Sequence, residues 1–528
     1  MVGSAWQNSL LLRLWTIWLT CWRNSGLCAF FKWCARTWKS SAVGAFIVRR
    51  LAAEPKTTAC SRYTRFLMAC NRGLNRLHFL YVWLQNSVLC RIYAWVFRVG
   101  SGSRVLGWLF RSGLRGIVIF LVAMYLPLDY IIRDTLAVPV LSSAWDELLM
   151  LLAIAVILKE RIQAPRPLQA VTSPVEGPMI LFVGVGLALM FAVSPFFSIA
   201  VSGYRATVQY MLWFLLLMRL LRSDRDLMIL YGSLIALAFV ISLHGIYQYI
   251  IAVPIPSSWT DQAETSVRTR VYSIFGSPNI MGDFMLLFAP MAAALAYWFK
   301  DRKMQVICWI VTFCMCFACL FTMSRGAWVG MAVAIIVFAL LVDRRLLGVL
   351  LVAMCFALML PFVSSRLGYL FTEDFATSTS NGGRASRWEL GLGYLYDSNP
   401  LLGLGLGMFG GAVAMQNQVY SWMSYFYMDN YYLKILCEMG WIGLLCFILL
   451  LAVMIWTCCR SIYRAHYKPD RMAPLAAGML SGLCGVLTHC YFENIFEEPY
   501  MMAYFWAIVA MIVYIGFIRK EKTPASAD

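Results

Sequence analysis

From residue 116 onward the chain is a succession of apolar stretches of about 17 to 25 residues joined by short polar connections. That is the length a helix needs to cross a hydrocarbon core about 30 Å thick. Twelve cores are expected, at about 116–131, 144–158, 179–193, 208–220, 227–251, 281–299, 305–322, 327–341, 347–363, 431–458, 474–489 and 499–517. The expected fold is an all-α integral membrane protein of about twelve transmembrane helices with a large external loop, preceded by amphipathic interfacial helices. Hydrophobic residues at 61% and charged residues at 13% exclude a soluble globular domain, a collagen, a disordered tail and a disulfide-stapled secreted module. The 17 cysteines are scattered through apolar stretches with no His at zinc spacing, and read as small core residues.

Charge divides the chain. Residues 1–115 hold 17 Lys or Arg against a single acid, Glu54, and nine tryptophans between Trp6 and Trp108. Basic, aromatic-rich sequence of this kind points to an anionic membrane surface rather than to nucleic acid. Segments 10–22 and 77–97 read as amphipathic helices on the cytoplasmic leaflet, with a buried hairpin as the rival. Anionic membrane lipids are the expected partner here, and no nucleic acid is expected. No apolar core followed by a small-residue cleavage site precedes the charges, so a cleaved signal peptide is not expected.

Positively charged short loops stay in the cytoplasm. With the basic N-terminal region inside, the other inner connections are 159–166, 219–225, 300–303, 344–345 and 460–471, with 519–522 at the end, and they carry eighteen Lys or Arg. Both termini are then cytoplasmic. Nine basic residues remain on or near the outer side: Arg133, Arg205, Arg268, Arg270, Arg325, Arg366, Arg384, Arg387 and Lys434. Each is present against the general bias. The division is a basic surface region 1–115, a polytopic domain 116–518 containing an external loop 364–428, and a tail 519–528. A loop of that length, with Trp388, glycine turns from Gly403 to Gly411 and tyrosines from Tyr420 to Tyr427, suggests a folded cap with short helices.

Four external clusters concentrate the polar residues: Arg270 to Asn279 (RVYSIFGSPN), Thr322 to Trp328 (TMSRGAW), Arg384 to Trp388 with Asn399 to Phe409 (RASRW, NPLLGLGLGMF), and Asp429 to Leu433 with Glu438 to Gly440. In this order, over about residues 140–515, they resemble the bacterial O-antigen ligase and O-antigen polymerase superfamily of membrane glycosyltransferases. The resemblance implies transfer of a glycan from an undecaprenyl-pyrophosphate carrier to an acceptor hydroxyl of a glycan, lipid or protein outside the cytoplasmic membrane, with no metal and no cofactor. A pyrophosphate leaving group gains negative charge as the glycosidic bond breaks, and guanidinium forks bind phosphate bidentately. Arg325 and Arg384 stand where the family keeps its arginines, and Arg270 is a third candidate. The family's usual His before the Asn is Asp429 here, which makes Asp429 the candidate base next to Asn430.

Each residue has a plainer reading. Arg325 lies at a span end, where an arginine also reaches to headgroups. Arg384, Arg387 and Trp388 share a face that a solvated loop helix would also have. Arg270 precedes a helix start at Ser277-Pro278 and could anchor that loop, and Asp429 could be a helix N-cap. His489, Glu493 and Glu497 at i, i+4 and i+8 read as one polar stripe that could supply another base, although His489 could equally be a packing residue. Lys434 and Glu438, four apart below Asn430, should neutralise each other. Gly405, Gly407 and Gly410 match a dinucleotide fingerprint in letters only, and Asp224-Arg225-Asp226 caps a span rather than holding a nucleotide sugar. The rival class is a multi-span solute transporter, disfavoured because the polar groups gather in one loop and at outer helix ends.

Overall fold

The computed structural model describes residues 10–52, 62–104, 106–254, 256, 269–373, 383–466 and 472–519. Glu54, Arg268, Lys468, Arg471, residues 374–382 of the long loop and residues 520–528 of the tail lie outside the described residues. Every regular element among the described residues is helical.

The N-terminal region forms α1 (Leu10–Asn24), α2 (Gly26–Ser40), α3 (Ala42–Ala52), α4 (Arg62–Asn75), α5 (His78–Leu84) and α6 (Val88–Gly102). None exceeds 15 residues, about 22 Å at 1.5 Å per residue, too short to cross a bilayer. Trp33, Trp83, Trp95 and Phe46 lie exposed on them, the pattern of helices that rest on an apolar surface. Side chains of α4 and α5 tie this region down. Asn71 and Asn75 donate to the carbonyls of Leu168 and Ala164 at 2.7 Å each, and His78 Nδ1 lies 2.8 Å from the Ile162 carbonyl.

The polytopic domain follows as α7 (Gly113–Ala123), α8 (Tyr125–Tyr130, continued by a π turn to Leu136), α9 (Pro139–Gln163), α10 (Glu176–Ala192), α11 (Phe197–Val208), α12 (Leu212–Leu220) and α13 (Asp224–Ile250). Then come α14 (Pro278–Trp298), α15 (Arg302–Phe321), α16 (Arg325–Leu341), α17 (Arg345–Leu358) and α18 (Pro361–Gly368). Last are α19 (Arg384–Asp397), α20 (Ala412–Asn417), α21 (Tyr431–His466), α22 (Met472–His489) and α23 (Pro499–Val513, continued by a π turn to Ile518). Among the described residues seven helices are long and apolar enough to cross a membrane, and nine if each of two bent pairs counts as one span. The protein is therefore a multi-pass membrane protein.

The count of twelve expected from apolar runs differs because five of those runs are not single long helices. The first is bent by 71° between α7 and α8, and the ninth by 86° between α17 and α18, where Pro361 opens the second piece. The third and eighth are the 17-residue helices α10 and α16, and the fourth is broken by a 3-10 turn at Gln209–Met211.

α14 forms the centre, almost wholly buried between α15, α16 and α22. Small residues let the backbones close: a Cβ on Gly482 would lie 2.1 Å from the Leu287 carbonyl oxygen, and one on Gly485 2.8 Å from that of Gly330. In the long loop, α19 and the turns on either side of α20 pack an apolar cluster of Phe409, Met423 and Met428 with Trp388, Tyr394 and Tyr420 onto Cys437 of α21. The described part of the loop is a folded cap.

Candidate active site

Polar groups converge where the N-termini of α14, α16 and α21 meet the C-termini of α15 and α22. The Tyr431 amide donates to the Cys490 carbonyl at 2.9 Å and joins two of these ends. The turn between α15 and α16 organises one half of the site. Met323 has φ of 55° and Ser324 caps α16 by accepting from the Ala327 amide, so successive carbonyls of the turn face neighbouring guanidiniums. Arg270 Nε donates to the Thr322 carbonyl at 3.0 Å, and Arg366 Nε to that of Met323 at 3.2 Å. Arg325 donates to the Arg366 carbonyl at 3.4 Å and lies 5.8 Å from the Tyr369 ring centre. Arg325 is thus held in a cluster of three arginines by named partners.

The glycine of Ser324-Arg325-Gly326 has a physical reason. A Cβ there would lie 2.8 Å from Cδ2 and Nε2 of His489 and 3.1 Å from Phe492 Cβ. That ring cannot retreat, because His489 Nδ1 is 3.0 Å from Asp283 Oδ1 and both side chains are buried. His489 accordingly positions α16, with its ring pinned between Asp283 and Gly326.

α19 organises the other half. Arg387 lies 2.9 Å and Arg384 3.5 Å from Oδ2 of Asp429, and Arg387 also donates to the Tyr427 carbonyl at 3.3 Å. Asp429 is not the helix cap; that is Asn430, whose Oδ1 accepts from the Leu433 amide at 3.1 Å. The Trp388 ring meets Tyr491 edge-on at 5.4 Å. Among the described residues no group accepts from the buried Arg387 Nε or Trp388 Nε1.

Asn279 and Glu493 connect the halves. Arg270 donates to Asn279 Oδ1 at 3.1 Å, and Asn279 Nδ2 donates to Glu493 Oε2. Burial, and then the charge of Asp429, push the Glu493 carboxyl above its ordinary range, while His489 and Arg384 act against this.

A third cluster supports the loop. Lys434 Nζ lies 2.9 Å from Glu497 and 3.7 Å from Glu438. Glu438 Oε1 accepts from the amides of Gly407 and Phe409, and Glu497 Oε1 accepts from that of Ala412. The two carboxylates thereby hold the second half of the glycine run, from Gly407 to Ala412, against the membrane domain. Gly440 breaks α21 with φ of 63°, and a Cβ on it would lie 2.2 Å from the Leu401 carbonyl oxygen. Lys434 and Glu438 do pair, as expected, with Glu497 as third member. The predicted stripe of His489, Glu493 and Glu497 on one helix does not form, because α22 ends at His489 and the two glutamates come from the turns after it.

Arg270, Arg325, Arg384, Arg387, Trp388, Asp429, Asn430 and His489 all fall in this region. Sequence reasoning left Arg366, Asn279 and Tyr369 out of the site, and named Glu493 only as part of the stripe that could supply another base. Arg366 carried a signal, as one of the few basic residues on the outer side, and Asn279 closes the first quoted cluster.

An all-α multi-pass membrane protein with five arginines gathered at one end of its helices is the class that these features define. Residues 310–448 match the family model described as O-antigen ligase, so this segment of the chain is similar to the O-antigen ligase superfamily. The matched segment holds Arg325, Arg366, Arg384, Arg387, Asp429 and Lys434, whereas Arg270, Asn279, His489 and Glu493 lie outside it. No curated protein matches the chain.

Proposed function

We propose that the protein is a membrane glycosyltransferase of O-antigen ligase type in the bacterial cytoplasmic membrane. It moves a glycan from an undecaprenyl-pyrophosphate carrier to an acceptor hydroxyl on the outer side, with twelve crossings, both termini cytoplasmic and the N-terminal helices on the inner leaflet. The observation that carries this reading is the convergence of Arg384 and Arg387 on Asp429. In this mechanism the donor pyrophosphate takes over these guanidiniums, with Arg325 and Arg270 holding its other oxygens. Its arrival releases the Asp429 carboxylate toward the acceptor. The acceptor oxygen attacks the anomeric carbon opposite the pyrophosphate as its proton passes to Asp429, and the bond to the lipid pyrophosphate breaks with the electron pair leaving on oxygen. Trp388 offers a ring face to the sugar.

The test mixes the purified protein with an undecaprenyl-pyrophosphate-linked oligosaccharide and candidate acceptors, and follows release of the lipid pyrophosphate. Release lost in both Arg325→Ala and Asp429→Ala supports the reading. Loss in Arg325→Ala alone moves the base to Glu493. Release that needs only a second lipid-linked glycan as acceptor makes the protein a polymerase of the same superfamily. No release from wild type with any donor overturns the reading in favour of transport.

A further inference from the structure

At the opposite end of α23 the structure has a second concentration of positive charge. Twenty residues, Pro499 to Ile518, span about 30 Å, and they separate the turn that holds Glu493 and Glu497 from Arg519 in the wall of a cavity of about 1210 Å³. Six arginines line that cavity: Arg161, Arg166, Arg219, Arg222, Arg225 and Arg519. Three are neutralised locally. Arg219 pairs with Glu176 at 3.0 Å, Arg222 with Glu160 at 3.0 Å, and Arg519 with Asp224 at 2.6 Å. Glu160 is also shared with Arg115 at 2.9 Å. Among the described residues Arg161, Arg166 and Arg225 have no carboxylate within ion-pair distance. Leu168, Val171, Met218 and Phe517 give the wall an apolar part, beside the polar Gln169, Thr172 and Ser223.

Confining six guanidiniums around one cavity with too few acids is costly unless an anion joins them, and the fork geometry of guanidinium suits phosphate oxygens. A basic cavity between the ends of membrane helices, walled in part by apolar side chains, fits an amphiphile with a phosphate head. The N-terminal region shapes the same cavity. Asn71 and Asn75 of α4 hold the backbone at the lining residues Leu168 and Ala164, and Arg219 donates to the Tyr63 hydroxyl at 3.4 Å.

We propose that this cavity is a binding site for a phosphate-bearing anion, the headgroup of an anionic phospholipid, built jointly by the arginine connections of the membrane domain and by α4. It does not depend on the glycan-transfer reading.

The experiment uses the full chain in neutral detergent and follows its unfolding midpoint. The probes are short-chain phosphatidylglycerol, short-chain phosphatidylcholine, and inorganic phosphate. Three proteins are compared: wild type, Arg161→Gln/Arg166→Gln/Arg225→Gln, and a control that removes equal charge from an exposed connection away from the cavity and from the N-terminal helices, Lys300→Gln/Arg302→Gln/Lys303→Gln. Phosphatidylglycerol is expected to raise the midpoint of wild type and control alike. The cavity variant should need at least about tenfold more lipid for the same shift, and phosphatidylcholine should have no effect. Equal responses in the cavity variant and wild type, or equal losses in cavity variant and control, overturn the proposal. A full shift from inorganic phosphate at the same concentration keeps the site and overturns the lipid as its source. If the triple variant does not fold, native mass spectrometry of wild type decides: retained phosphatidylglycerol over phosphatidylcholine supports the site, and indifference overturns it.

Discussion

Removing the Lys434 ammonium tests how the cap is held onto the membrane domain. Lys434 and Glu438 side chains are only 5% and 1% exposed, and the ammonium stands 2.9 Å from Glu497 and 3.7 Å from Glu438. Lys434→Met retains much of the packing volume but leaves two carboxylates facing each other without a cation. Breaking a buried pair from one side costs about 3–5 kcal/mol, because the charge left behind is unpaired. Lys434→Met/Glu497→Gln removes one of those carboxylates too, and Glu438 then keeps the Gly407 and Phe409 amides as donors. The double variant should therefore recover about half of the Lys434→Met loss, ~2 kcal/mol. The assay is the unfolding midpoint in detergent of wild type, both single variants and the double variant. A Lys434→Met midpoint equal to wild type, or losses in the double variant that simply add, would refute the reasoning. The sign with pH follows from Glu497. Burial pushes its carboxyl up, but Lys434 and hydrogen bonds from Ala412 and Asn494 bring it below the usual range. A depressed carboxylate stabilises above its unfolded pKa and loses that contribution as pH falls through the folded value. Acid should thus loosen the cap.

Gly326→Ala pushes a Cβ into a histidine that cannot move, and should lower stability by about 1–3 kcal/mol, read as a drop in unfolding midpoint; an unchanged midpoint would show that His489 can retreat. Arg387→Lys cannot hold both Asp429 and the Tyr427 carbonyl as the guanidinium does, so lipid pyrophosphate release should fall at least about tenfold and Arg387→Ala should be no better. Burial and neighbouring acids push Glu498 up to about 7, against a hydrogen bond from Tyr500. A carboxyl raised in this way loses folded-state stability as pH rises from its unfolded value to about 7. Glu498→Gln should therefore stabilise by about 1–3 kcal/mol above that range and by nothing near pH 4, which unfolding midpoints across pH would check.

Apolar run length made the class of fold legible, and the positive-charge bias isolated Arg270, Arg325, Arg366, Arg384 and Arg387 before any contact was known. Bends were not legible, since a run stays apolar through a break: the α7–α8 and α17–α18 turns and the 3-10 step at Gln209 leave composition unchanged. Partner choice was equally hidden. Spacing paired Lys434 with Glu438 but not with Glu497, 63 residues further on, because that pairing depends on how α21 meets the turn before α23. Asp429 was read as base or cap with equal ease, and only the Leu433 amide on Asn430 separates the two roles.

Two glycines of the segment 310–448 are explained by packing alone. Gly326 and Gly440 do nothing to a substrate. One lets α16 lie against a pinned imidazole, and the other lets the Pro400–Leu402 backbone cross α21, where the Trp441 amide donates to the Pro400 carbonyl at 3.0 Å. Arg325 stands at one end of the site and Asp429, between Arg384 and Arg387, at the other. The Arg270–Asn279–Glu493 chain links these ends from outside the matched segment. A site assembled in this way couples its two halves through neutral and acidic side chains rather than through a shared helix. Asn279→Ala should therefore disturb both arginine groups without removing a charge. Wild-type donor affinity in that variant would show the two halves to be independent.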